Sequence, residues 1–161
     1  MTPALLRLPA WQHRLLIIVS ALLLLSGGAW LGLHYSIGAG RGDMPHPLEH
    51  GLMEWHGAAG FGALFAFGML AAGHVPAGWK LTRRRRGPQR LTGLALLALA
   101  GCLVGSAYGL YYLVGETGRP ALGWAHSGAG LLMLAFALVH RRAGADRRRS
   151  VAPGAPDQGR H

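Results

Sequence analysis

Four apolar blocks constrain this sequence more than any other feature. They run about Leu15–His34, Trp55–His74 with an extension to Trp79, Leu91–Val114 and Ala121–His140. Each reaches the roughly 20 mostly apolar residues that a helix needs to cross a bilayer. Backbone in hydrocarbon must satisfy its own polar groups, which makes the helix the form for blocks of this length. With 51% hydrophobic and 14% charged residues, little chain remains for a separate water-soluble domain. The expected fold is all-α, an integral membrane four-helix up-down bundle. Residues 1–142 form one four-span domain, and 143–161 a disordered basic tail. The N-terminus has the positive start of a signal peptide. Its apolar run extends to Leu33 with no A-x-A site after it, so it reads as an uncleaved first span.

The net charge of +10 sets orientation. All but two of the 16 basic residues lie before the first block, between the second and third, or after the fourth. The other side keeps only Arg41 and Arg119, beside Asp43, Glu49, Glu54 and Glu116. Lys and Arg in excess mark the cytoplasmic side. Both termini are therefore expected in the cytoplasm, with the chain multi-pass in a bacterial-type inner (plasma) membrane. The Arg83–Arg86 run reads as a topology signal with affinity for anionic lipid. Aromatic interleaving is missing from it, and no nucleic-acid partner is expected. Trp11, Trp30, Trp55, Trp79, Tyr111, Tyr112 and Trp124 fall near block ends, where amphipathic rings anchor a span.

Cys102 is the single cysteine and reads as a small mid-span packing residue. No C-x-x-C-H occurs, so covalent c-type haem is excluded. Gly101, Gly105 and Gly109 repeat at every fourth position of the third block, with Gly93 in the same register. Ala58, Gly62 and Ala66 repeat likewise in the second block. Such ridges permit close helix approach, or clearance for a broad planar ligand.

The chain carries nine histidines. His161 lies in the tail. His34, His46, His50, His56 and His126 gather toward the outer face, and His13, His74 and His140 toward the inner. His126 and His140 are fourteen residues apart in WAHSGAGLLMLAFALVHRR. That is about 40° short of four turns at ~100° per residue, and ~21 Å of helix axis. His56 and His74, eighteen apart, are separated by about five turns. The second and fourth blocks run in the same direction, so each presents an outer and an inner imidazole. The difference of four residues between the two spacings has to be absorbed by tilt or stagger. Ionisable groups inside a membrane are costly and mark function. Neutral imidazole binds Zn, Cu, Fe and Ni. Zinc needs three or four ligands converging at one point, whereas facing pairs at two depths suit haem iron with two axial ligands.

With WQHRLLIIVSALLLLSG, MEWHGAAGFGALF and HSGAGLLMLAFALVH in place, the chain resembles the small four-helix di-haem cytochrome b family. That family includes the cytochrome b subunits of membrane formate dehydrogenases and nickel–iron hydrogenases. The resemblance covers about residues 11–142. It implies that His126 and His140 each serve a different haem b and that His56 is the second outer ligand. It also implies that helix 1 often supplies the second inner ligand, here His13. His74 is a rival for that place, and the shared face with His56 tips the expectation slightly toward it. Metal-ligating candidates are thus His56, His126, His140 and His74, with His13 open as a further haem-binding residue.

The expected function is a membrane b-type cytochrome, with the role of an electron-transfer oxidoreductase subunit left open. It would carry electrons across the bilayer through two stacked bis-histidine haems. Its expected partners are membrane lipid, the quinone pool and a periplasmic or membrane redox protein. Arg41 or Arg119 outside, and an inner arginine, would pair with haem propionates. His46, Glu49, His50 and Glu54 are candidate proton acceptors for a quinol, and Trp55 and Trp124 candidate cofactor contacts. Two other functions fit the composition: a metal-ion transporter with a histidine-lined path, and a non-haem membrane subunit that anchors or assembles a complex.

The charge pattern generates a topology test. A cysteine placed at Ser36, in a chain with Cys102 replaced, should react with an impermeant thiol reagent from outside intact cells. A cysteine at Gln89 should react only after lysis. The reverse pattern would invert the orientation.

Overall fold

The computed structural model describes residues 8–82 and 87–151. Arg7, the Arg83–Arg86 run, and the chain from 152 on with Arg160 and His161 lie outside the described residues. Every regular element among the described residues is helical, and four helical stretches are long and apolar enough to cross a membrane. They divide into two compact units, each a helical hairpin.

The first hairpin pairs α1 (Ala10–Ile37) with α2 (Pro47–Met69), which continues through a π-helical turn, Leu70–His74, into α3 (Val75–Thr82). Pro9 precedes α1, and its carbonyl accepts the first helical bond, from the His13 N–H. Gly38 in extended conformation ends α1. A single 3-10 turn, Ala39–Arg41, then closes on Gly42, whose φ of +93° is the left-handed value that glycine tolerates best. The sequence alone puts the start of helix 2 near Glu54, but α2 begins at Pro47. The cause is local. Leu48 N–H donates to His46 Nδ1 (3.2 Å), Glu49 Oε1 accepts from His46 N–H (3.0 Å), and Pro47 occupies the first turn, where its missing N–H costs nothing. At the other end Pro76 cannot bond back to the preceding turn. The chain widens into the π turn just before it, with Val75 N–H bonding to Leu70 C=O.

The second hairpin pairs α4 (Pro88–Tyr108), extended by a π turn at Gly109–Leu113, with α5 (Arg119–Val151). Val114 turns to an extended conformation and stops the helix. The last helix does not end at the apolar boundary near Ala143. Alanines and arginines favour helix, and no proline intervenes before 153, so it continues to Val151.

Buried and half-buried positions alternate in steps of three and four on all four long helices. They include Leu16, Val19, Leu23, Ser26 and Trp30 on α1, and Leu52, His56, Ala59, Ala63 and Ala66 on α2. On α4 they include Thr92, Leu96, Leu99, Leu103 and Ser106, and on α5 His126, Ala129, Met133, Phe136 and His140. This seven-residue repeat keeps one narrow stripe of each helix on its hairpin neighbour. Small residues fill the α2 stripe and bring the backbones close. Ala66 is 1% exposed, and a Cβ added at Gly62 would lie 3.1 Å from Val19 Cγ2.

Outside the stripes the surface is apolar. Leu25 is 70% and Phe61 77% exposed, and the apolar windows of the four spans are only 0–17% buried. Water does not tolerate contiguous apolar surface on this scale, whereas lipid does. The glycine ridge is not a seam within its hairpin: Gly101 and Gly105 face open space, and only Gly109 packs closely, against Leu122. Cys102 is likewise exposed and takes no part in the seam.

Overpacking the narrow α2 stripe should destabilise the first hairpin. Ala66→Leu should cost about 1–3 kcal/mol, read as a lower apparent Tm in detergent. Ala58→Leu, at an exposed position on the same helix, should leave Tm unchanged. Equal effects would contradict the assignment of the seam.

Candidate functional site

The seams that hold the hairpins together also carry the histidines. In the second hairpin the His126 Nδ1 lies 2.7 Å from Ser106 Oγ, and the His140 Nδ1 lies 2.8 Å from Thr92 Oγ1. In the first, the His56 Nδ1 lies 3.0 Å from Ser26 Oγ. Each hydroxyl belongs to the antiparallel partner helix. Each also reaches a carbonyl in its own preceding turn: Ser26 Oγ to Leu22 at 2.6 Å, Thr92 Oγ1 to Pro88 at 2.9 Å, and Ser106 Oγ to Leu103 at 3.2 Å. All three imidazoles are half-buried.

The spacing repeats on both helices of the second hairpin. Thr92 and Ser106 are fourteen residues apart, as are the histidines they meet. Two seven-residue repeats separate the members of each pair, so one helix register brings both contacts together. Close backbone approach accompanies the rings. A Cβ at Gly27 would lie 2.9 Å from His56 Cε1, and one at Gly93 would make ordinary contact with His140 Cε1 at 3.5 Å.

His74 and His13 sit toward the opposite end of the first hairpin from His56. Both are half-buried. The contact of Gln12 Nε2 with Met69 Sδ at 4.0 Å sets the register there. It puts His13 about level with Met69, thirteen residues beyond His56, or ~20 Å along the axis. His74 is eighteen residues beyond His56, or ~27 Å. The fourteen residues from His126 to His140 correspond to ~21 Å.

The four residues read as candidate quinol acceptors separate into two groups. Glu49 is buried. Its Oε2 accepts from His34 Nδ1 at 2.9 Å, its Oε1 caps the start of α2, and the Ala39 N–H reaches the same carboxylate. A Cβ at Gly38 would meet the Glu49 Oε1, so any larger residue there would displace the carboxylate. Trp30 stacks on His34, ring centroids 4.4 Å apart. This ordered corner of His34, Glu49 and His46 was hidden in the sequence, because it depends on α2 starting at Pro47. His50 Nε2 and Glu54 Oε1 lie 3.1 Å apart at exposed i,i+4 positions. Arg41 donates to the Ser36 carbonyl (3.0 Å), and Arg119 pairs with Glu116 (3.5 Å). An open apolar groove of about 370 Å³ runs beside the Ser26–His56 contact, lined by Leu22, Leu25, Ser26, Ala29, Leu52 and Trp55.

Among the described residues no three His, Cys, Asp or Glu side chains gather where one metal ion would bind them all. Zinc-type coordination by converging protein ligands therefore has no site there. The seams offer single imidazoles instead, each with Nδ1 held by a hydroxyl. An imidazole nitrogen is among the ligands that haem iron takes.

The Glu49 corner yields a prediction. Glu49→Ala removes the capping bond and the His34 partner together. Losing a cap costs about 1 kcal/mol, so amide exchange at Leu48–Gly51 should rise roughly fivefold. Glu54→Ala should leave these amides unchanged. Unaltered exchange in Glu49→Ala would show that the cap does not hold the helix start.

No protein-family model matches the chain, and searches of curated proteins and of solved structures likewise return no match.

Proposed function

We propose that this chain is a membrane b-type cytochrome that carries single electrons across the bilayer through two bis-histidine haems. The observation that carries this reading is the pair of half-buried imidazoles on α5, fourteen residues apart in an apolar helix, each with Nδ1 against a hydroxyl of α4. Imidazoles at both ends of one stripe of an apolar helix are expensive in a membrane. Two redox centres at two depths give each ring a purpose.

The ligand assignment rests on the resemblance and on the spacing of the histidines within each hairpin. His126 and His56 hold the outer haem, and His140 holds the inner. The separation of His56 from His13 is close to that of His126 from His140, and that of His56 from His74 is about 6 Å longer. Across the antiparallel register set by Gln12 and Met69, His74 falls beyond the start of α1 at Ala10. On this spacing we propose His13 as the second inner ligand, where the helical-face argument slightly favours His74.

When bound, haem supplies the one-electron couple. The chain's own residues do the rest. The imidazoles hold and orient, the apolar stripes exclude water, and Gly27 leaves room beside the His56 ring. Arg41 and Arg119 at the outer end, and Arg141 at the inner, supply positive charge to acidic groups near the membrane surface. The partners proposed are the quinone pool and a redox protein at the outer face of an inner membrane, with both termini cytoplasmic. The acidic corner at Glu49 serves helix 2 itself, so a quinol proton acceptor falls to His50 or Glu54.

Reduced-minus-oxidised spectra of single variants test the reading. His56→Ala and His126→Ala should remove the same b-type component. His140→Ala and His13→Ala should remove the other, and His74→Ala should keep both. If His74→Ala loses the inner component and His13→Ala does not, the level argument fails. If the wild-type protein has no Soret band, the whole reading fails.

A further inference from the structure

Three imidazoles in two hairpins meet a hydroxyl in the same way, and the hydroxyls have only one proton each. An alcohol donates one hydrogen bond and accepts others. Ser26, Thr92 and Ser106 each have a carbonyl of their own preceding turn within reach. A serine or threonine in an apolar helix places its proton there, because its back-bond joins the helix's own carbonyl ladder. For Ser26 the 2.6 Å bond to Leu22 leaves the oxygen facing His56 as an acceptor. For Thr92, bonds to Pro88 at 2.9 Å and Gln89 at 3.2 Å do the same toward His140. The Leu23 carbonyl, 3.4 Å from Ser26 Oγ, adds another acceptor beside the His56 ring. An oxygen that accepts requires the ring nitrogen to donate, so Nδ1 carries the hydrogen. A neutral imidazole has one N–H, which makes Nε2 the unprotonated nitrogen.

We propose that Ser26, Ser106 and Thr92 are positioning residues: each fixes the Nδ1–H tautomer of its histidine, so that His56, His126 and His140 present Nε2 to iron. The proposal rests on the cytochrome reading and deepens it. The hydroxyls touch neither iron nor porphyrin in this scheme. They act through the rings, holding ring plane and tautomer before any cofactor arrives, as outer-shell partners of metal-bound histidines do. The register makes the device economical: the fourteen-residue spacing of Thr92 and Ser106 matches that of His140 and His126, so one antiparallel pairing sets both rings.

The test uses full-length protein produced without haem, labelled with ¹⁵N histidine, and then titrated with hemin. In the wild type, ring nitrogen shifts should report Nδ1–H and bare Nε2 at His56, His126 and His140. Ser106→Ala should turn His126 into a tautomer mixture and weaken hemin binding at the site that includes it by about 10–100-fold. Ser106→Thr should restore both, since it keeps the hydroxyl. Thr92→Val, which keeps the side-chain shape, should do to His140 what Ser106→Ala does to His126, and it guards against a simple folding failure. If hemin binds while Ser106→Ala and Thr92→Val change neither affinity nor ring protonation, the proposal is overturned and the cytochrome reading stands. Wild-type rings protonated at Nε2 also overturn it. A wild-type chain that takes up no hemin overturns the cytochrome reading, and with it the role proposed for the hydroxyls toward iron.

Discussion

Everything in this structure turns on how an imidazole is kept in an apolar helix. A polar ring away from water costs free energy unless something hydrogen-bonds it. Here a hydroxyl from the neighbouring helix does so for His56, His126 and His140. The requirement works in both directions. The hydroxyl satisfies the ring, and the contact ties the register of two otherwise smooth apolar helices. Leucine and alanine stripes slide at little cost; a histidine that must meet a hydroxyl does not. Stability of the hairpin and orientation of the ring thus come from one contact.

Each hairpin repeats the same logic with different residues. The second has two hydroxyl–histidine contacts two seven-residue repeats apart. The first has one, at Ser26–His56. Two repeats inward it has the contact of Gln12 with Met69, with His13 next to it. Beyond that level α2 widens ahead of Pro76, and His74 lies past the start of α1. The outer end of the first hairpin uses its polar groups differently. There Glu49, His34 and His46 hold the start of α2 and the turn at Gly38.

The four spans were legible in the sequence because apolar length is a local property, and each block overlaps one of the long helices. Helix ends were less legible where capping decides them. Nothing apolar marks Pro47 as a helix start, yet His46 and Glu49 make it one. At the other terminus Ala143 to Val151 is polar enough to read as tail, but its composition favours helix. The fourteen-residue histidine spacing was plain. Its counterpart, Thr92 to Ser106, was equally present but carried no signal alone. Serine and threonine are common, and only the antiparallel pairing reveals that the two spacings match. The glycine ridge on α4 stood out in sequence, and the hairpin makes little use of it.

The central claim is that these seams hold haem, and its most direct test is stoichiometry. Full-length protein purified from haem-sufficient cells should give about two protohaems per chain by the pyridine haemochrome assay, removable by acidic acetone because no thioether link exists. One haem per chain would restrict the claim to a single level. A value near zero, from protein whose hairpins are folded, would contradict it.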